Sequence, residues 1–194
     1  VESCRGIADK NGGSLQITLS TSCFVPKPFT PFQWEPMDDI ETLTEKQHHL
    51  KDRIRRRTRK IVYHYHNPRI SHMEAVLARG DRRLGKVIYT AWKMGARFDG
   101  WDEHFSFERW QEAFRANGLD SAFYANRRRD FSEVLPWDHI DIGVTKEFLI
   151  RECRKAYEGD LTRNCASGCS HCGATVYGAG ICFKQKKNQD QAGG

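Results

Sequence analysis

No stretch of the 194-residue chain approaches the about 20 consecutive apolar residues that a membrane-crossing helix needs, which excludes a helical span. Nor does the chain open on a secretory leader. Residues 1–14 carry Glu2, Arg5, Asp9, Lys10 and Asn11, and no apolar core interrupts them. There is no initiator methionine, and the first residues read as the tail of a helix, so a fragment of a longer protein is expected. The cysteines number seven, an odd count that rules out a complete disulfide framework. Without a leader they point to a reducing, cytoplasmic setting and to ligand or thiol roles. A Ser/His/Asp arrangement, a phosphate-cradling glycine loop and an internal repeat are likewise missing.

What is present is globular in composition, with 39% hydrophobic and 29% charged residues. The net charge of +6 is unevenly placed. Lys51 to Lys60 (KDRIRRRTRK) holds seven positive charges against one negative, close to the whole surplus. Such a stripe reads either as a solvated helix face or as an attractor of phosphates and RNA, with no aromatic residue interleaved for stacking. Leu15, Ile17 and Leu19 alternate with Gln16, Thr18 and Ser20, the period-two pattern of a strand. Four prolines between Pro26 and Pro36 then forbid regular structure. Asp38 or Asp39 caps a long helix running to about Arg57, with Ile40, Leu43, Gln47, Leu50 and Ile54 on one face. Lys60 to His66 is a second strand. Strand, helix and strand make one βαβ unit, the grammar of an α/β domain.

From Asn67-Pro68 the pattern turns helical. Met73, Val76 and Leu77 form one inward stripe, and Leu84, Val87, Ile88, Ala91 and Trp92 form another, closed by Gly95. Ser106 caps a helix that buries Phe107, Trp110, Ala113 and Phe114. A further helix runs from about Thr145 to Glu158, with Phe148, Leu149, Cys153 and Tyr157 on its stripe and Gly159 after it. The fold class predicted is thus an α/β remnant followed by a mostly α-helical module that ends in a Cys-rich metal site. Residues 184–194 are polar and predicted to be a disordered tail.

Cys165, Cys169 and Cys172 bring three thiols within eight residues on a glycine-containing turn, and Cys182 offers a fourth. Thiolates bind soft or borderline ions; four of them suit a structural zinc, and clustered thiolates equally suit an iron–sulfur centre. Spacing leaves zinc and iron–sulfur both open. The pattern C-x3-C-x2-C is also that of the catalytic cluster of radical SAM enzymes, where three cysteines hold a [4Fe–4S] cluster. Position argues against that role, because only 22 residues follow Cys172, too few to build the barrel that such a loop precedes.

Several long blocks resemble one known family. Phe24-Val-Pro-Lys-Pro-Phe-Thr-Pro-Phe-Gln-Trp34, Ala78-Arg-Gly-Asp-Arg-Arg-Leu-Gly85, Phe98-Asp-Gly-Trp-Asp-Glu-His-Phe105 and the block from Leu135 to Leu149 look like the C-terminal region of radical SAM proteins that carry a cobalamin-binding domain. The resemblance covers nearly all of the chain to about Gly173. It implies that residues 1–66 are the end of a radical SAM barrel and 67–160 a helical extension. Residues 161–183 would then be an accessory Cys motif, with an iron–sulfur cluster or zinc. The cobalamin domain, the earlier barrel strands and the catalytic [4Fe–4S] motif would lie in a missing N-terminal part of the same protein, which becomes this chain's partner. The full-length reaction so implied is reductive cleavage of S-adenosylmethionine to a deoxyadenosyl radical that abstracts hydrogen. The alternative is an RNA-binding module with a zinc-knuckle-like Cys site and a basic helix.

Other candidates each carry a plainer reading. Lys27 is placed to meet a phosphate or carboxylate and Phe32 or Trp34 to wall a pocket at the barrel mouth; equally, the Pro–aromatic segment pins a loop. Arg79, Arg82 and Arg83 at a helix start suit an anion, against intramolecular pairing with Asp99, Asp102 or Glu103. His64 and His66 share one strand face as a potential ligand pair, although Tyr63 and Tyr65 make ordinary sheet packing sufficient. Asp138, His139 and Asp141 form a carboxylate–His set that a helix-entry turn also explains.

Overall fold

The computed structural model describes residues 17–57 and 61–178, and these fold as mixed α/β with six α-helices and a two-stranded parallel sheet. Leu15, Cys182 and the segment 184–194 lie outside the described residues. The chain divides into two compact units, each assembled from several segments.

The first unit comprises residues up to Val25, Met37–Leu77 and Leu84–Asn126. Its sheet pairs β1 (Ile17–Thr21) with β2 (Ile61–Tyr65), Ile17 opposite Ile61 and Thr21 opposite Tyr65. Between them runs α1 (Ile40–Arg57), so the βαβ unit predicted from the periodicity is present, trimmed to five-residue strands. Asp39 rather than Asp38 caps it, its carboxylate accepting from the Thr42 N–H at 2.7 Å. Leu43 and Gln47 are buried, and the Gln47 amide donates to the His66 carbonyl at 2.8 Å, tying helix to strand. Leu50, expected on the same face, is exposed.

Asn67 caps α2 (Pro68–Ala78) by accepting from the Arg69 N–H. α3 (Leu84–Lys93) and α4 (Phe107–Ala116) pack around Met73, Val76, Val87, Ala91, Trp110 and Phe114. The Ser106 hydroxyl accepts from the Arg109 N–H, the cap anticipated for α4. A short helix, α5 (Ser121–Ala125), is capped by Asp120 and supplies buried Tyr124 and Ala125. The inward stripes are narrower than the periodicity implied: Leu77, Ile88 and Trp92 are exposed. Each helix meets its neighbours along a single line, and positions one step off that line face away from it.

The second unit comprises Pro26–Pro36, Ala78–Arg83 and the chain from Arg127 onward. Its one long helix, α6 (Lys146–Glu158), begins at Thr145, whose hydroxyl accepts from the Phe148 N–H, and ends at Gly159 in the left-handed conformation (φ 75°). Leu149 and Cys153 of α6 pack with Trp34, Leu135 and Trp137 into a second core. Tyr157, expected on the buried stripe, is exposed. The proline-rich segment is irregular, as its prolines require. It is nonetheless anchored: the Arg129 N–H donates to the Trp34 carbonyl at 2.8 Å.

Candidate functional site

The cysteine-bearing loop belongs to the second unit. Asn164 opens it by turning back on Ser167, its side-chain oxygen accepting from both the Ser167 N–H and hydroxyl at 3.0 Å. Cys165 and Cys169 are exposed and Cys172 is half-buried. The far end is tied down. The Thr145 N–H, at the cap of α6, donates to the Cys172 carbonyl at 2.9 Å, and Arg151 donates to the Ser170 carbonyl. Gly173 explains the fit: at φ 101° it adopts a conformation that side chains rarely take, and a Cβ there would lie 2.7 Å from Thr145 Cγ2.

Between Cys169 and Cys172 the backbone is shaped around sulfur. His171 adopts the left-handed conformation (φ 54°), and its N–H points at Cys169 Sγ, 3.4 Å away. An N–H aimed at a thiol favours its ionised form, the form that ligates metal. The His171 side chain itself is exposed. The donor chemistry of this half of the loop therefore fits a thiophilic metal or iron–sulfur centre. Among the described residues, however, no group of three His, Cys, Asp or Glu side chains is gathered around a point. Cys169 and Cys172 are the pair to which the local geometry gives a reason for ligation.

The structure separates the other candidates. Lys27 and Phe32 are exposed, whereas Trp34 is 1% exposed, with the Phe131 ring edge-on at 5.0 Å. Trp34 is core and not a pocket wall. Arg82 is exposed, and Arg83 forks onto Asp81 through Nε and Nη2. Arg79 is fully buried. Sequence reasoning missed the company it keeps: Arg129, also buried, donates to the Arg79 carbonyl at 3.1 Å. Desolvation, then repulsion from Arg129 and Arg127, pulls the Arg79 guanidinium down to about 9. Burial, followed by Arg127, brings Arg129 to about 10. Nearby, Arg127 makes a two-pronged ion pair with Glu133, and Arg128 reaches Glu35. Glu35 is buried and its other oxygen faces the Cys153 thiol, which burial pushes up and so keeps protonated. The run Arg127-Arg128-Arg129 in the sequence was the available signal.

Asp138 pairs with Lys146 at 2.8 Å and also accepts from the Leu135 N–H, so the carboxylate–His set resolves into a helix-entry turn with His139 exposed. In the first unit, His64 and His66 are exposed, while Tyr63 bonds to the Thr21 hydroxyl at 2.8 Å. No helix among the described residues is long and apolar enough to cross a membrane. Comparison with protein families, with curated proteins and with solved structures finds no match to this chain.

Proposed function

We propose that this chain is the C-terminal part of a radical SAM iron–sulfur enzyme and carries an accessory metal or iron–sulfur site on Cys165, Cys169 and Cys172. The observation that carries the metal assignment is the His171 N–H directed at Cys169 Sγ beside Cys172, a thiolate-stabilising turn on a loop anchored to α6. Support for the barrel assignment comes from β1 and β2. They pair in parallel across a helix, yet Leu19, Val62 and Tyr65 remain exposed. Parallel strands are ordinarily covered on both faces and extended by further strands, so a pair this open suits the edge of a larger sheet. The family resemblance of the Pro26–Pro36 segment and of the Leu135–Leu149 block supplies the rest.

S-adenosylmethionine, cobalamin and the catalytic [4Fe–4S] cluster would be held by the preceding part of the protein. The chain's own residues would hold the accessory centre, through Cys169 and Cys172 first. Chain reconstituted anaerobically with iron and sulfide, then given S-adenosylmethionine and dithionite, is expected to form no deoxyadenosine. Turnover by this chain alone would overturn the assignment. The second reading, an RNA-binding module, draws on Lys51, Arg53, Arg55 and Arg56, charged side chains borne along α1. Retention of zinc with no visible chromophore, joined to RNA affinity that falls steeply with salt, would favour it.

A further inference from the structure

A cavity of about 340 Å³ opens in the second unit, within the span of about 300–1,000 Å³ typical of small-molecule sites. Its walls are Phe29, Trp137, Ile140, Ile142, Val144 and Leu149, two aromatic and four aliphatic side chains. Set into them is Gln33, only 2% exposed. Its Oε1 is fully engaged, accepting from the Trp137 indole at 2.7 Å and from the Phe29 N–H at 2.9 Å. That fixes the orientation of the amide and leaves the Nε2 protons as its uncommitted end, with no acceptor among the described residues. A buried amide donor without an acceptor is costly, so its persistence at a cavity wall points to a ligand that accepts from it.

The lining also has a sign. Asp138, Asp141, Glu147 and Lys146 all border the cavity, three carboxylates against one ammonium. Lys146 is spent on Asp138. The Asp141 carboxylate accepts from the Gly143 N–H, and that bond leaves its charge in place. Glu147, in the first turn of α6, is exposed at the rim. An anion entering here would meet a net negative wall, whereas a cation would be held by it.

We propose that this cavity binds a small organic cation: a protonated amine on an aromatic body bearing a hydrogen-bond acceptor for Gln33. The aromatic body packs against Phe29 and Trp137, the acceptor meets Gln33 Nε2, and the ammonium faces Glu147 at the rim. The site is distinct from the cysteine thiols and goes beyond the assignment made above, because none of those thiols lines it.

Three probes separate the parts of the inference. They are 4-(2-aminoethyl)pyridine, phenethylamine and 4-pyridylacetate, titrated against the full chain by saturation-transfer NMR at a pH where the pyridine nitrogen is unprotonated. Aminoethylpyridine is expected to bind tightest, phenethylamine several-fold more weakly for want of the acceptor, and pyridylacetate at least about tenfold more weakly for its charge. Ile142→Trp, at a 41%-exposed wall position, is expected to block binding by filling the cavity, and Glu147→Lys to erase the preference for the amine. Both positions are open to solvent, and circular dichroism checks that each variant folds. Absence of binding by the amines, equal affinity for both signs of charge, or binding untouched by Ile142→Trp would each overturn the proposal. Equal affinity for phenethylamine and aminoethylpyridine would overturn the role given to Gln33.

Discussion

His72 shows how burial sets the behaviour of a single side chain in the first unit. The imidazole is 4% exposed; its Nε2 meets the Ser121 hydroxyl at 3.0 Å, and the Phe107 ring lies edge-on at 5.7 Å. Its Nδ1 has no hydrogen-bond partner among the described residues. Desolvation therefore lowers its pKa below the ordinary 6.5, only partly opposed by Asp120. In the window between the lowered folded value and 6.5, the unfolded chain binds more protons than the folded one, so stability rises with pH there and falls on acidification. The urea midpoint is expected to drop as pH is taken below 6.5, and His72→Gln to flatten that slope. An equally steep slope in the variant would contradict the role given to His72. The sequence offered no hint of this, because Ser121 lies 49 residues away and on a helix too short to show a period.

At the scale of elements, two glycines end segments of the second unit for different reasons, and substitution separates them. Gly159 stops α6 in the left-handed conformation, and a Cβ there would meet nothing within 4 Å, so Gly159→Ala faces backbone strain alone, about 1 kcal/mol. Gly173→Ala meets comparable strain and also drives a methyl into Thr145 and the Gly143 carbonyl. It is expected to cost more than Gly159→Ala in denaturant titrations and to free the end of the cysteine loop, seen as faster amide exchange at Thr145. Equal costs and unchanged exchange would show that the packing at Gly173 is not holding the loop.

These same elements mark how far the sequence could be read. Helices with strong caps, Ser106 for α4 and Thr145 with Gly159 for α6, fall where their signals place them, because a cap is a local interaction. The βαβ unit was legible for the same reason. α5 was not, since five residues are too few for periodicity to register. Nor could periodicity say which apolar positions a neighbour covers: Ile88 and Trp92 follow the helical stripe of α3 and are exposed all the same. The three clustered thiols were visible as spacing. The amide of Gln33 was not, because its partner Trp137 is 104 residues away and only the fold joins them.

Across the whole molecule, the two cores account for two kinds of chemistry. The first unit is packed by side chains of the helices, with a parallel strand pair whose outer positions stay exposed. The second concentrates the charged and sulfur-bearing groups: buried Arg79 and Arg129, the Glu35–Cys153 contact and the cysteine loop. Buried guanidinium pairs cost stability unless their surroundings compensate, and here Glu35 and Glu133 supply the opposing charge. The accessory centre is the claim on which the functional proposal turns. Its most direct test is anaerobic reconstitution with iron and sulfide, followed by desalting and measurement of bound metal, in the native chain and in the Cys165→Ala/Cys169→Ala/Cys172→Ala variant. The native chain is expected to retain iron and acid-labile sulfide with a broad visible absorption, and the triple variant to retain neither. Full metal stoichiometry in the triple variant, or a native chain that binds no metal, would contradict the account.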